Sequence, residues 1–151
     1  MDTRRSIALV VILCAFAIPS PVQAQVGISL AIDKHARLSE QGGAIIRIRI
    51  ACGPFPGFED FQEGFAGAFQ ANTGAEAEGG FDGMVICDGI ARTHTAHLSS
   101  FVDAVFKRGP AAADASLFVC TVVEDEQICF QGSTQRRVII RGRLVPLSQV
   151  P

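Results

Sequence analysis

The sequence predicts one all-β domain, an antiparallel two-sheet sandwich of about seven strands, behind a signal peptide. Segments in which apolar and polar residues alternate recur every dozen residues or so, which is the spacing of short strands in a sandwich. Fifteen glycines and seven prolines separate these segments. No segment combines a helical apolar period with helix-forming composition. The pattern therefore indicates a β-sandwich and disfavours a helical or α/β protein.

The N-terminus has the three parts of a secretory signal. Residues 1–5 carry positive charge, residues 6–18 are apolar, and 22–24 fit the small-x-small rule, so cleavage is expected before Gln25. An apolar run of about 13 residues is too short to span a bilayer. Lipidation at Cys14 is the alternative, and the large Leu13 before it disfavours that alternative. The sequence predicts a signal peptide over 1–24 and a protein secreted outside the cell or into the envelope.

The mature chain has the size and charge of a single extracellular domain. It comprises a domain over 25–145 and a tail over 146–151. Cleavage removes two of 13 basic residues and one of 15 acidic residues, leaving 11 and 14, a net charge of −3. This balance argues against nucleic acid or an anionic membrane as the partner. No later segment is long enough to cross a membrane.

Four cysteines remain after cleavage: Cys52, Cys87, Cys120 and Cys129. An even number in an exported chain indicates disulfides, and three pairings exist in principle. The short acidic turn between Cys120 and Cys129 favours a bond there, which leaves Cys52 for Cys87. Zinc is disfavoured because no pair has C-x₂-C spacing.

Two clear strands and a third, more difficult one make up the first half of the domain. Residues 26–32 alternate, 33–43 read as a polar connection, and 44–52 form the clearest strand, with isoleucines on one side and Arg47 and Arg49 on the other. Two prolines within 53–57 break the chain. The phenylalanines of 58–69 have helical spacing, but Gly64 and Gly67 disfavour a helix. We predict a strand over 62–71 whose phenylalanines pack in the core.

The sequence of the second half of the domain predicts four more strand regions. Residues 75–80 form a small acidic edge strand that 84–87 continue as a more buried piece, and Asp88-Gly89 signals a hairpin. Alternation predicts strands over 91–99 and 112–123, joined by a loop over 101–110. After an acidic turn at 124–126, the chain returns over 128–131 and ends in a strand over 136–144.

Six segments together resemble a known family. They are Cys52, Phe65-Ala-Gly-Ala-Phe-Gln70, the Gly-rich stretch 80–89, the alternating stretch 92–98, Arg108-Gly-Pro-Ala-Ala-Ala113, and Arg137-Val-Ile-Ile140. The family is that of small exported bacterial immunoglobulin-like domains of uncharacterised function. The resemblance covers nearly the whole mature chain.

The resemblance implies an immunoglobulin-like sandwich, a Cys52–Cys87 bridge and no transferable active site. Cys52 would close the second strand (B), Cys87 would close strand D, and 91–99 would be strand E between them. Cys120 and Cys129 would clip the final hairpin. The chain departs from antibody-type domains because it has neither Trp nor Tyr, and so lacks the core Trp and the corner Tyr.

No catalytic or cofactor constellation emerges, so we predict a non-enzyme without cofactors. His94 and His97 are three apart and would face opposite sides of a strand, which disfavours a shared metal. The acidic turn lacks calcium-loop spacing, and no phosphate-binding glycine loop exists.

Two surfaces remain as candidates for binding. The first is the outward face of the last strand, with Arg137, Ile139, Arg141 and Arg143, which could bind a partner or guard an edge strand against aggregation. The second is a cleft lined by Phe55, Phe58 and Phe61. The sequence therefore predicts a non-catalytic binding or envelope-structural module for a protein or glycan, with 53–61 and 100–111 as its variable surfaces. The alternative is a carrier of an apolar small molecule in the Phe-lined cleft.

Overall fold

A computed structural model describes residues 27–145, the last three of these by their backbone alone. Within this range the chain is all β, without a helix, and has eight strands. They are β1 (Ile28–Ile32), β2 (His35–Ser39), β3 (Ala44–Cys52), β4 (Phe58–Gln70), β5 (Ala75–Gly80), β6 (Arg92–Ser100), β7 (Gly109–Val123) and β8 (Glu126–Val145). The signal peptide over 1–24, Cys14 and the tail over 146–151 lie outside the described residues.

The strands form one mixed sheet that returns on itself. Its order is β1-β3-β2-β8-β7-β4-β5-β6, and β6 pairs again with β3. We call β1, β3, β6 and β5 the β3 half, and β2, β8, β7 and β4 the β4 half. The β4–β5 hairpin joins the halves on one side, and the step from β1 to β2 joins them on the other. Inward side chains from both halves make a single core.

The number of strands and their directions correct the sequence-based prediction. Residues 33–43 are not merely a polar connection, because they contain β2, which raises the count from seven to eight. β2 runs parallel to β8, so the sheet is not wholly antiparallel. The strand was missed because its fully buried positions are Ala36 and Ser39, which are small and lack the β-branched pattern that marks a strand.

β1 and β2 form one edge that pairs first with β3 alone and then with both β3 and β8. Ile28 to Ile32 pair antiparallel with β3, from Cys52 back to Ile48. After Asp33 and Lys34 the chain pairs with β8 in parallel, beginning at His35 opposite Ile139. This change brings the N-terminal edge onto both halves of the sheet.

β3 occupies the predicted range and faces the predicted way. Ile46, Ile48 and Ile50 are buried, while Arg47 and Arg49 are exposed. β3 pairs with β6 along one side and with β1 and β2 along the other. It is therefore the most fully paired strand of the β3 half.

β4 faces opposite to our prediction. Phe65, Gly67 and Phe69 do share a face, but that face points outward, and Ala66 and Ala68 point into the core. The reason lies in β7, where Ala113 and Ala115 stand directly beside these alanines and leave the two sheet halves close together. The prediction that the phenylalanines form the core is wrong.

The connection from β5 to β6 also differs from expectation. β5 has its predicted bounds but pairs with both β4 and β6, so it is not a free edge. Residues 84–87 are not a strand: Val85 is buried while Met84 and Ile86 are exposed. Cys87 therefore lies in a loop, and Asp88-Gly89 is a turn within that loop.

A long hairpin of β7 and β8 ends the domain. Its two-residue turn places Glu124 and Asp125 in the left-handed region, with φ of 50° and 68°. β8 is continuous over 20 residues, where the sequence predicted two pieces separated at 132–135. Ala113, Ala115, Leu117 and Val119 of β7 face the core as expected.

Two disulfides hold the end of the domain at which β3 and β7 finish. Cys52 is bonded to Cys87, and Cys120 to Cys129, which is the pairing that the sequence favoured. Cys120 and Cys129 stand directly opposite each other in the β7–β8 ladder. The first bond fastens the 81–91 loop to β3, and the second fastens the final hairpin.

Candidate functional site

The two halves of the sheet present very different outer faces. The exposed residues of β3, β6 and β5 are mainly polar, among them Arg47, Arg49, Thr93, Thr95, Glu76 and Glu78. Cross-strand register places Arg47 beside Thr95 and Arg49 beside Thr93. This is the composition expected of a surface in contact with water.

The outer face of the β4 half carries phenylalanines instead. Phe61, Phe65 and Phe69 point outward from β4 and are 45%, 51% and 43% exposed. Phe118 of β7 lies beside them, with its ring 6.2 Å from that of Phe61 in an edge-to-face arrangement. We call these four rings the aromatic face. Aromatic side chains clustered on one exposed face are typical of binding surfaces.

The core fixes the orientation of the aromatic face. Ala66 stands opposite Ala115, and Ala68 opposite Ala113, all four buried. Turning β4 over would place two phenylalanine rings where alanines now fill the space, because neighbouring residues of a strand point to opposite faces. The rings therefore lie outside as a consequence of the packing inside.

The aromatic face continues into a basic end on β8 and β2. Arg137, Ile139 and Arg141 point outward from β8, as the sequence predicted. On β2, His35 lies opposite Ile139, and Arg37 opposite Arg141. Burial lowers the pKa of His35, and the positive charge of Arg141 lowers it further. We call Arg37, Arg137, Ile139 and Arg141 the basic end.

The basic end is not a guard on a free strand edge. At residues 139–141 β8 pairs with β2 on one side, and at 139–140 also with β7 on the other. A strand with partners on both sides has no open edge that charged residues would need to protect. The pairing therefore disfavours the edge-guard interpretation at Ile139 and Arg141, whereas at Arg137 the paired neighbour is Ala112 of β7.

A recess separates the aromatic face from the basic end. It has a volume of about 630 Å³. Its floor is Ala112, which lies in register between Phe69 on one side and Arg137 on the other. Asp114 closes one end of the recess, and its carboxylate lies over Gly67, where a Cβ would be only 2.9 Å from Oδ1. A side chain at residue 67 would therefore require Asp114 to move.

The three phenylalanines that were predicted to line a cleft lie in different places. Phe55 is half-buried and stacks on Phe130, with ring centroids 4.3 Å apart. Phe61 belongs to the aromatic face, and Phe58 is 65% exposed at the start of β4. Arg143 lies in β8, and its side chain is outside the described part of the chain. Sequence reasoning missed Phe65, Phe69, Phe118 and Arg37 as surface residues.

His94 and His97 lie on opposite faces of β6. His94 shares the inward face of β6 with Ala96 and Leu98, whereas His97 lies on the other face and contacts Asp82 at 3.1 Å. Within residues 27–145 no group of three His, Cys, Asp or Glu side chains is placed to hold a metal ion. The described residues also contain no helix with the length and apolar character needed to span a membrane.

Comparisons with other proteins do not identify a relative. No family model matches this chain, and no curated protein or solved structure is significantly similar to it.

Proposed function

We propose that this protein is an exported, non-catalytic immunoglobulin-like module that binds a partner through its aromatic face. The immunoglobulin-like assignment is supported by the N-terminal edge, which pairs with β3 and then also with β8, and by the pairing of β3 with β6 and of β4 with β7. Two disulfides support export, since such bonds persist in oxidising compartments.

The observation that carries the proposal is the difference between the two outer faces. Three phenylalanines, each close to half exposed, line up on β4, while the exposed residues of the β3 half are mainly polar. The three long strands β4, β7 and β8 at about 4.8 Å, each with about six outward residues at about 6.8 Å, give a face of roughly 590 Å². This approaches the roughly 800 Å² per partner of a stable protein–protein interface. The face has the size and composition for a protein partner.

The experiment compares capture by matched phenylalanine variants. The mature domain is immobilised and exposed to envelope material, and capture is compared with that of Phe65→Ser, Phe69→Ser and Phe101→Ser. Phe101 is 59% exposed on a loop outside the aromatic face and serves as the control. We expect the first two variants to lose capture and the third to retain it, since hot spots concentrate in aromatic residues. Equal capture by all three variants would contradict the proposal.

The recess favours a second candidate function, which is carriage of a small, largely apolar molecule that bears a carboxylate. Phe69 and Ala112 offer apolar contacts, and Arg137 offers a guanidinium for a carboxylate. This moves the expected carrier site away from Phe55, Phe58 and Phe61. Native mass spectrometry of the secreted protein tests it: a bound small molecule that is lost in Arg137→Gln supports carriage, and a bare mass contradicts it.

A further inference from the structure

The basic end places two arginines directly opposite each other. Arg37 and Arg141 are register partners on parallel strands, and both are exposed. Neither forms an ion pair within the described residues. Like charges at opposite positions of a sheet destabilise it, so this pair creates a repulsion that a bound anion would relieve.

The spacing along β8 points to the shape of that anion. Arg137, Ile139 and Arg141 are alternate residues, so their side chains leave the face about 6.8 Å apart. An extended polypeptide displays alternate side chains at the same interval. A segment with acidic, apolar and acidic residues at positions i, i+2 and i+4 would oppose the three side chains in order.

We propose that the basic end binds an extended acidic polypeptide segment with the pattern Glu/Asp-x-apolar-x-Glu/Asp, which deepens and rests on the proposed partner-binding function. Ile139 between two arginines favours such a segment over a uniform polyanion, because an apolar side chain gains nothing from a continuous row of charges. The phenylalanines next to the basic end supply further apolar contact for the same chain.

The charges around this site are mostly positive. Arg108 donates a hydrogen bond to the carbonyl of Gly142 at 3.3 Å and so adds a fourth guanidinium near Arg141. Of the acidic residues of the outer face, Glu63 lies on β4, and Asp114 lies on β7, where it lines the same recess as Arg137. Asp33 lies 3.9 Å from Arg47 of the β3 half, and its negative charge also acts on His35. A carboxylate at the basic end is therefore met by arginines.

The test uses a blocked nine-residue peptide centred on Glu-Thr-Val-Thr-Glu and a fluorescence anisotropy titration of the mature domain. One control peptide replaces glutamate by glutamine, and a second spaces the glutamates three apart so that they face opposite sides. We expect Arg37→Gln and Arg141→Gln each to weaken binding of the first peptide by about tenfold, the loss of one charged hydrogen bond. Arg49→Gln, an exposed arginine of the opposite face, should leave it unchanged.

The titration of His35 supplies an independent readout. Since the charge of Arg141 contributes to the lowered pKa of His35, bound carboxylates should raise that pKa, as followed by NMR of the imidazole. Either of two results overturns the inference: equal binding of the three peptides, or an equal loss of affinity in Arg49→Gln. If either result is obtained while capture still depends on Phe65, the proposed function stands, but the partner is not an acidic segment of this pattern. If Phe65→Ser leaves capture unchanged, the proposed function itself fails.

Discussion

Gln70 and Lys107 are joined by two hydrogen bonds that imitate a backbone ladder. The side-chain amide of Gln70 donates to the Lys107 carbonyl at 2.9 Å, and the Lys107 N–H donates to Gln70 Oε1 at 2.8 Å. Gln70 is completely buried at the end of β4. At the other end of the same strand, Gln62 pairs with the backbone of Val85 at 2.8 Å in both directions. β4 thus holds both long loops by inward glutamines.

Replacing Gln70 by Leu should destabilise the domain by about 2–4 kcal/mol, because the volume is kept while buried backbone groups lose their partners. Chemical denaturation measures the loss, and hydrogen exchange at the Lys107 amide should quicken more than exchange in β3. Gln62→Leu is the matched control, with a smaller effect because Gln62 is partly exposed. A Gln70→Leu variant as stable as the parent would show that the pairing is unimportant.

The inverted orientation of β4 predicts an unusual mutational pattern. Ala66→Leu should destabilise by about 1–3 kcal/mol through overpacking against Ala115. Phe65→Ala should cost no more than about 1 kcal/mol, since half of its ring is already exposed. Thermal unfolding of both variants tests the orientation. A larger loss for Phe65→Ala than for Ala66→Leu would place the phenylalanine inside and contradict the described fold.

The two disulfides should contribute unequally. They close segments with sequence separations of 35 and 9. On the loop-entropy model, removing Cys52–Cys87 with paired Ala substitutions costs about 4 kcal/mol and removing Cys120–Cys129 about 3 kcal/mol. Denaturant titration of the two double variants measures the difference. The reverse order would mean that the hairpin bond, not the 81–91 loop bond, limits the unfolded chain.

The stability contributed by Asp88 should depend on pH. Arg92 binds its carboxylate at 2.6 Å, and this bond, together with the Ile90 N–H, holds the pKa of Asp88 well below its ordinary value of 3.8. A lowered pKa means that the contribution is present above that ordinary value and is lost as pH falls further. The stability difference between the parent and Asp88→Asn should therefore be constant at neutral pH and shrink in acid. A difference that grows in acid would contradict the ion pair.

Much of the fold could be predicted from alternation, but the direction of a face could not. On β3 the isoleucines occupy one face and the arginines the other, so the inward face was evident. On β4 both candidate faces are apolar, phenylalanine on one and alanine on the other. The choice depends on Ala113 and Ala115 of another strand, which no local pattern records.

The sequence predicted the site residues on β8, a strand that it also predicted, but not those on β2. Arg137, Ile139 and Arg141 were predicted to face outward because the inward Val138 and Ile140 are strongly apolar. Arg37, their partner across the sheet, was missed together with β2. The parallel pairing that brings Arg37 to Arg141 joins residues about a hundred positions apart, so sequence spacing carries no sign of it.

The parallel pairing of β2 with β8 also determines how the domain bears tension. Force applied at the start of β2 and at the end of β8 acts along these strands in opposite directions. It loads the hydrogen bonds between His35–Ser39 and 139–145 together, in shear, and not one after another as in a hairpin that unzips. A module anchored at one end and bound to a partner at the other would resist pulling at the place where its basic end is built.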